Sequence, residues 1–167
     1  NRQLAQTTAQ LLEGKVETSF LSYQDIPFMN QDIESPTPES IARVRSEVAA
    51  ADGIWIVTPE YNYSYPGVLK NLLDWLSRPL TPNDYASGTA VKGKKVVISG
   101  VSGRSAAAGS RAKLSELLGR IAMDVMEQQV GVSIDKDAWT TGVLTLSESS
   151  REELQQQAQA FLAFIDA

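Results

Sequence analysis

A chain of 167 residues with 43% hydrophobic and 21% charged residues is long enough for one domain with a real core and has the balance of an ordinary globular protein. It contains no cysteine and no histidine, which removes thiol chemistry, disulfides, most zinc sites and the commonest acid–base group at neutral pH, so that in an enzyme an organic cofactor would carry the hard step. A net charge of -5 argues against nucleic acid or an anionic membrane surface as the main partner, and no apolar run has the length of a membrane span; the expectation is a cytoplasmic protein with no nucleic-acid and no membrane partner.

The pattern is helical from the first residue. Leu4, Thr8, Leu11 and Leu12 share one face of a helix over 1–13, with Gly14 as its C-cap. Val16, Thr18 and Phe20 alternate with polar neighbours, which predicts a strand over 15–21 toward a sheet edge. Residues 23–36 read as a loop. Thr37-Pro38-Glu39 then supplies an N-cap, a proline at the first helical position and an acid in the first turn of a helix whose stripe is Ile41, Val44 and Val48.

The organising stretch follows. Residues 54–57 are apolar without alternation, as in a strand covered on both faces. Pro59 and Pro66 bracket PEYNYSYP, which is neither helix nor interior strand, because proline fixes φ and lacks an N–H. From Val68 onward, Val68, Leu69, Leu72, Leu73, Trp75 and Leu76 cover one continuous arc of a helix and Lys70, Asn71, Asp74 and Ser77 the opposite side. In parallel α/β sheets ligands bind at such a strand–loop–helix junction, beyond the carboxyl ends of the strands. The arc is wider than one sheet face needs, which predicts a second burial, against another copy of the chain or under the polar loop over 78–93 with its Pro79, Pro82 and Asn83.

A second buried strand over 96–99 ends in GVSGRSAAAGS, and Leu114, Leu117, Leu118 and Ile121 place a helix over 109–120. A last strand is predicted over 124–132, interrupted at 127–129, then an irregular stretch over 133–149. Ser150 with Glu153 forms a capping box for a final helix carrying Leu154, Ala158, Phe161, Leu162 and Ile165. No repeat or second domain is visible, and strands alternating with helices indicate a single domain with a parallel sheet covered on both faces. Such a domain ordinarily opens on a strand, so a first strand and its loop are expected upstream of Asn1.

TPEYNYSYPGVLKNLLDW is similar to the signature of the NADPH-dependent FMN reductase family, flavodoxin-like flavoproteins that include quinone, azo-dye and chromate reductases. The T-P-E-Y-N-x-S-x-P-G-x-L-K-N core matches at Thr58, Pro59, Glu60, Tyr61, Asn62, Ser64, Pro66, Gly67, Leu69, Lys70 and Asn71. Asn1, Leu4 and Ala5 resemble the end of the family's phosphate loop, and VVISGVSG its later strand and turn. The resemblance implies a flavodoxin-like doubly wound parallel sheet of order 2-1-3-4-5, with FMN as cofactor and NADPH as donor.

It further implies a set of cofactor-binding residues: Asn1 at the phosphate, Pro59, Glu60, Tyr61, Asn62 and Tyr63 against the ring, and Ser102 and Gly103 at its pyrimidine end. Backbone amides suit a ring whose protonation changes on reduction, and a helix N-terminus suits a phosphate. The plainer readings are an ordinary N-cap asparagine, a surface turn with incidental tyrosines or a tyrosine-rich protein-binding patch, and a simple turn at 100–103. Lys70 and Arg78 are solvated charges or partners of the NADPH 2′-phosphate. The implied function is an NAD(P)H oxidoreductase passing electrons to a small-molecule acceptor such as a quinone, azo compound or free flavin. It would work as a homodimer or homotetramer, with Tyr63 near a neighbouring subunit. The alternatives are a flavodoxin-type electron carrier and a non-enzymatic interaction domain.

Overall fold

The computed structural model describes residues 1–81 and 83–167. In chain order the elements are α1 (Arg2–Leu12), α2 (Glu39–Ala50), β1 (Gly53–Thr58), α3 (Gly67–Leu76), β2 (Pro79–Thr81), β3 (Asp84–Thr89), β4 (Lys95–Ser102), α4 (Ala108–Arg120), β5 (Asp124–Val125), β6 (Val130–Ser133), α5 (Lys136–Thr141) and α6 (Glu148–Asp166).

The sheet is built on β4, which is buried from Val96 to its end. β1 pairs with one edge of it in parallel, from Gly53 opposite Lys95 to Thr58 opposite Gly100. β5 and β6 both pair with its other edge, also in parallel, at Lys95–Val96 and Ser99–Ser102 respectively. Alternation along β4 divides the core between two faces. Val96 and Ile98 pack with Val44 and Val48 of α2, Leu69, Leu72, Leu73 and Leu76 of α3, and Leu114 and Leu118 of α4. On the other side Val101 packs with Leu4 of α1 and Leu154 of α6, and Val97 with Phe161 of α6. Helices thus cover both faces of a mostly parallel sheet.

Several expectations are corrected. Residues 15–21 form no strand: Val16 and Phe20 are exposed, and the segment has no ladder partner among the described residues. Alternation marks which side chains share a face, but a strand exists only where a neighbour takes its backbone bonds. The full order 2-1-3-4-5 is therefore not formed by the described residues. The strand predicted over 124–132 is two short ones, β5 and β6, separated at 126–129. The loop over 78–93 contains the antiparallel β2–β3 hairpin, with Pro82 outside the described residues. The irregular stretch over 133–149 holds α5, capped by the Asp135 side chain on the Ala138 N–H. Two caps also differ. Pro38, not Thr37, precedes α2, and the Thr37 hydroxyl donates to the Glu34 carbonyl at 3.2 Å. Ser147, not Ser150, caps α6, accepting from the Ser150 N–H at 3.1 Å.

The wide arc of α3 is covered by its own chain. Leu69, Leu72, Leu73, Trp75 and Leu76 are all buried, and only Val68, 61% exposed, faces solvent. Part of the cover is the loop before α2. Asn71 grips it twice, accepting from the Met29 N–H at 2.7 Å and donating to the Pro27 carbonyl at 3.0 Å. The Trp75 indole N–H donates to the same carbonyl at 2.9 Å. Leu21, Tyr23 and Ile26 pack onto this core from that side, and Ala90 and Val91 join it after the hairpin. Among the described residues, no helix is long and apolar enough to cross a membrane.

Candidate functional site

Because β1 and β4 are parallel neighbours, the segments that follow them emerge side by side at one edge of the sheet. Pro59, Glu60, Tyr61, Asn62 and Tyr63 follow β1; Ser102 closes β4 and Gly103 follows it. Asn1 reaches the same end of β4, where its Oδ1 accepts from the Val101 N–H at 3.2 Å and its Nδ2 donates to the Val101 carbonyl at 3.3 Å. All eight residues singled out from sequence are therefore brought to one end of two strands. The Asn1 side chain is committed to Val101; its backbone N–H and those of the first turn of α1 have no acceptor among the described residues, since the first helical bond runs from Ala5 to Asn1.

The segment after β1 is a tight turn. Tyr61 and Ser64 exchange backbone bonds at 2.9 and 3.0 Å, and Asn62 and Tyr63 between them have φ of 50° and 59°. Two successive left-handed residues make a type I′ turn, natural for asparagine and costly for tyrosine by about 1–2 kcal/mol. The turn after β4 repeats the device, with Ala106 and Ala107 at φ 47° and 58° immediately before α4. Strained backbone of this kind persists where surrounding contacts over-determine it.

Those contacts centre on Glu60. Its carboxylate accepts from the Ser105 hydroxyl at 2.7 Å and from the Ser110 N–H at 3.0 Å, at the start of α4. Ser105 also shares a hydrogen bond with the Ser102 hydroxyl at 2.9 Å, and Ser102 Oγ accepts from the Ala107 N–H at 2.7 Å. Below them, the Thr58 and Ser110 hydroxyls lie 3.2 Å apart. The Ser105 hydroxyl first, then the Ser110 N–H, hold the Glu60 carboxyl below the usual carboxylate range. Arg111 lies on the inner side, its Nε donating to the Ala106 carbonyl at 3.3 Å; burial lowers its pKa, and the Glu60 charge opposes that. Ser105, Ser110 and Arg111 were missed from sequence. The only local signal was the pair of serines bracketing a small-residue run before a helix, and nothing linked them to an acid 45–50 positions away.

Lys70 and Arg78 are both engaged elsewhere. Lys70 pairs with Asp74 at 2.6 Å, and Arg78 meets Glu34 through two bonds of 2.7 and 3.0 Å. Lys70 keeps 44% of its side chain in solvent, as expected for a surface charge, whereas Arg78 is largely covered by its pairing with Glu34.

The model of the NADPH-dependent FMN reductase family matches residues 1–137. The chain belongs to that family. It is 33% identical over 173 aligned positions to a quinone reductase of Escherichia coli, an alignment spanning 99% of this chain and 87% of that protein. A 2-hydroxy-1,4-benzoquinone reductase of a Burkholderia species is 47% identical over 79 residues, or 47% of this chain and 43% of that relative. The solved structure of FerB, a flavoenzyme NAD(P)H:(acceptor) oxidoreductase from Paracoccus denitrificans, superposes with a TM-score of 0.85 at 31% identity, covering 99% of this chain and 88% of FerB. The fold is flavodoxin-like, and membership makes the chain an oxidoreductase that uses NADPH and FMN.

The residues present suit a flavin. The N–H groups of Asn62, Tyr63, Gly103 and Arg104 make no hydrogen bond within the described residues, so both turns offer free donors. A Cβ at Gly103 would meet nothing within 4 Å, leaving room for a ring edge beside the backbone.

Proposed function

We propose that this reductase passes electrons from NADPH or NADH to a quinone, and that FMN is held at the end of β1 and β4 by Asn1, Pro59, Glu60, Tyr61, Asn62, Tyr63, Ser102 and Gly103. The observation that carries the reading is the pair of left-handed turns with free amides, side by side at this edge. When bound, FMN would supply hydride acceptance from the nicotinamide nucleotide and two-electron delivery to the acceptor. The balance is NADPH, a proton and a quinone giving NADP⁺ and a hydroquinone. The chain itself supplies fixed donors rather than an acid or base. The Asn62, Tyr63 and Gly103 amides would stabilise negative charge on a bound ring, without a side chain that must titrate. The first turn of α1 offers its amides to the phosphate. The choice of a quinone is supported by the names of the Escherichia coli and Burkholderia relatives; azo compounds and free flavin are the other acceptors of the same open face.

We place the protein in the cytoplasm, where reduced nicotinamide nucleotides are supplied, and read it as a homodimer or homotetramer. The arc of α3 is covered by its own chain and gives association no support; what supports it is the exposure of Tyr61, Tyr63 and Val68, close to one another in sequence, at 63%, 74% and 61%. The test is NADPH oxidation by the FMN-loaded protein with and without menadione. Fast turnover with menadione supports the reductase. Flavin binding with turnover only when a separate reductase is added would favour the electron-carrier alternative, and absence of flavin binding the interaction domain.

A further inference from the structure

We infer that Glu60 is a positioning residue whose carboxylate sets the spacing between the two turns that receive the flavin; the inference rests on the FMN reading above. The family resemblance implies that the backbone of 59–63 lies against the ring; the Glu60 side chain itself is turned toward α4. One oxygen accepts from Ser105 and the other from the Ser110 N–H, so a single group on the β1 turn holds both the serine network of the β4 turn and the first turn of α4. The approach is close. A Cβ added at Gly109 would come within 3.1 Å of both Glu60 Oε2 and the Tyr63 carbonyl. The start of α4 therefore rests directly against the turn carrying Asn62 and Tyr63.

The charge has further reasons to be where it is. The N-terminus of a helix favours an anion, and the positive charge of Arg111 on the same helix favours it to a smaller degree. The remaining polar neighbours are hydroxyls and amides: Ser102, Ser105, Ser110 and Thr58. Without the carboxylate, the Ser110 N–H and the Ser105 hydroxyl lose a common acceptor, and the side-chain link that remains between the two segments is the Thr58–Ser110 hydroxyl pair below the turns. Two left-handed turns, each strained, would then be joined only at their base and relax more freely of one another.

The experiment compares the wild-type protein with Glu60→Ala and Glu60→Gln. Amide exchange is measured in the FMN-free protein, and FMN affinity and the visible circular dichroism of bound FMN at saturation are measured by titration. Glu60→Ala is expected to speed exchange at Ala107 and Ser110 and also at Tyr61 and Ser64, the protected amides of the other turn. It should weaken FMN binding roughly tenfold, as for loss of one charge-assisted hydrogen bond, and alter the dichroism. Glu60→Gln is expected to restore most of each property. Its amide oxygen can accept from Ser110 while its NH₂ donates to Ser105, whose hydroxyl then turns toward Ser102. If Glu60→Ala does not fold, Ser105→Ala, which cuts the link on one side only, is expected to speed Tyr61 and Ser64 exchange to a smaller degree. Faster exchange at Ser110 with Tyr61 and Ser64 unchanged would reduce Glu60 to a local helix cap and overturn the inference. So would unchanged FMN affinity in folded Glu60→Ala. If the wild-type protein takes up no FMN, the flavin reading falls, while coupled exchange of the two turns would still uphold Glu60 as their link.

Discussion

Gln157 and Ser99 meet inside the protein, the serine hydroxyl donating to the Gln157 side-chain oxygen at 2.6 Å. Gln157 is fully buried on α6, and its NH₂ donates to the Ile98 carbonyl at 3.0 Å and to the Gln128 carbonyl at 2.9 Å. Ser99 in turn accepts from the Trp55 indole at 3.0 Å. One side-chain amide thus closes the gap where β5 has ended and β6 has not begun, taking carbonyls that a continuous strand would have satisfied. It explains how the sheet tolerates the interruption at 126–129.

Replacing Gln157 with leucine should therefore be costly despite similar volume. Two carbonyls and a hydroxyl lose their buried partner, each unmade bond costing about 1–3 kcal/mol, only partly recovered by relaxation. A fall of roughly 2–4 kcal/mol in unfolding free energy is expected from urea denaturation, with little change in slope.

On α3, Leu73→Ala should destabilise the subunit by about 2–5 kcal/mol, because Leu73 is 3% exposed within the core. Val68→Asp should cost less than about 0.5 kcal/mol, the side chain being in solvent. Thermal unfolding and light scattering separate the roles: Leu73 changes lower the midpoint, and Val68→Asp changes only self-association.

Gly131 is closed by the β4 turn. A Cβ there would overlap the Ala106 carbonyl and lie 2.5 Å from the Arg111 guanidinium, so Gly131→Ala must displace the left-handed pair before α4. Overpacking of this kind costs about 1–3 kcal/mol. The mutant should also bind FMN more weakly, since the displaced turn carries the proposed donors. Fluorescence titration reads the affinity and calorimetry the stability.

The acids give a pH dependence of definite sign. Glu60 is held low by Ser105 and Ser110, and Glu34 by its hydrogen bonds to Arg78. A carboxyl depressed on folding contributes stability that is full above its unfolded pKa and is lost as pH falls through its folded one. The stability gap between wild type and Glu34→Gln or Glu60→Gln should thus be constant near neutrality and narrow in acid. Unfolding midpoints across that range provide the measurement, and a gap that widened on acidification would contradict both assignments.

The sequence by itself determined the strand–loop–helix unit around PEYNYSYP, the helices on both faces and the family. Each of these is written in local patterns: periodicity names the buried face, and proline and glycine name the turns. What lies opposite a face is not local, and tertiary structure decided it. The arc of α3 called for a cover, but only the fold supplied it from the loop holding Pro27, 44 positions before Asn71. Residues 15–21 carried the alternation of a strand and find no pairing partner among the described residues. Glu60 was legible as part of a motif, while its acceptors' partners stand 45 and 50 residues away. Asn1 meets Val101 across 100 positions. A side chain's hydrogen-bond capacity is set by its type, but its partner is set by which strands the chain brings together, and that register is a property of the assembled sheet.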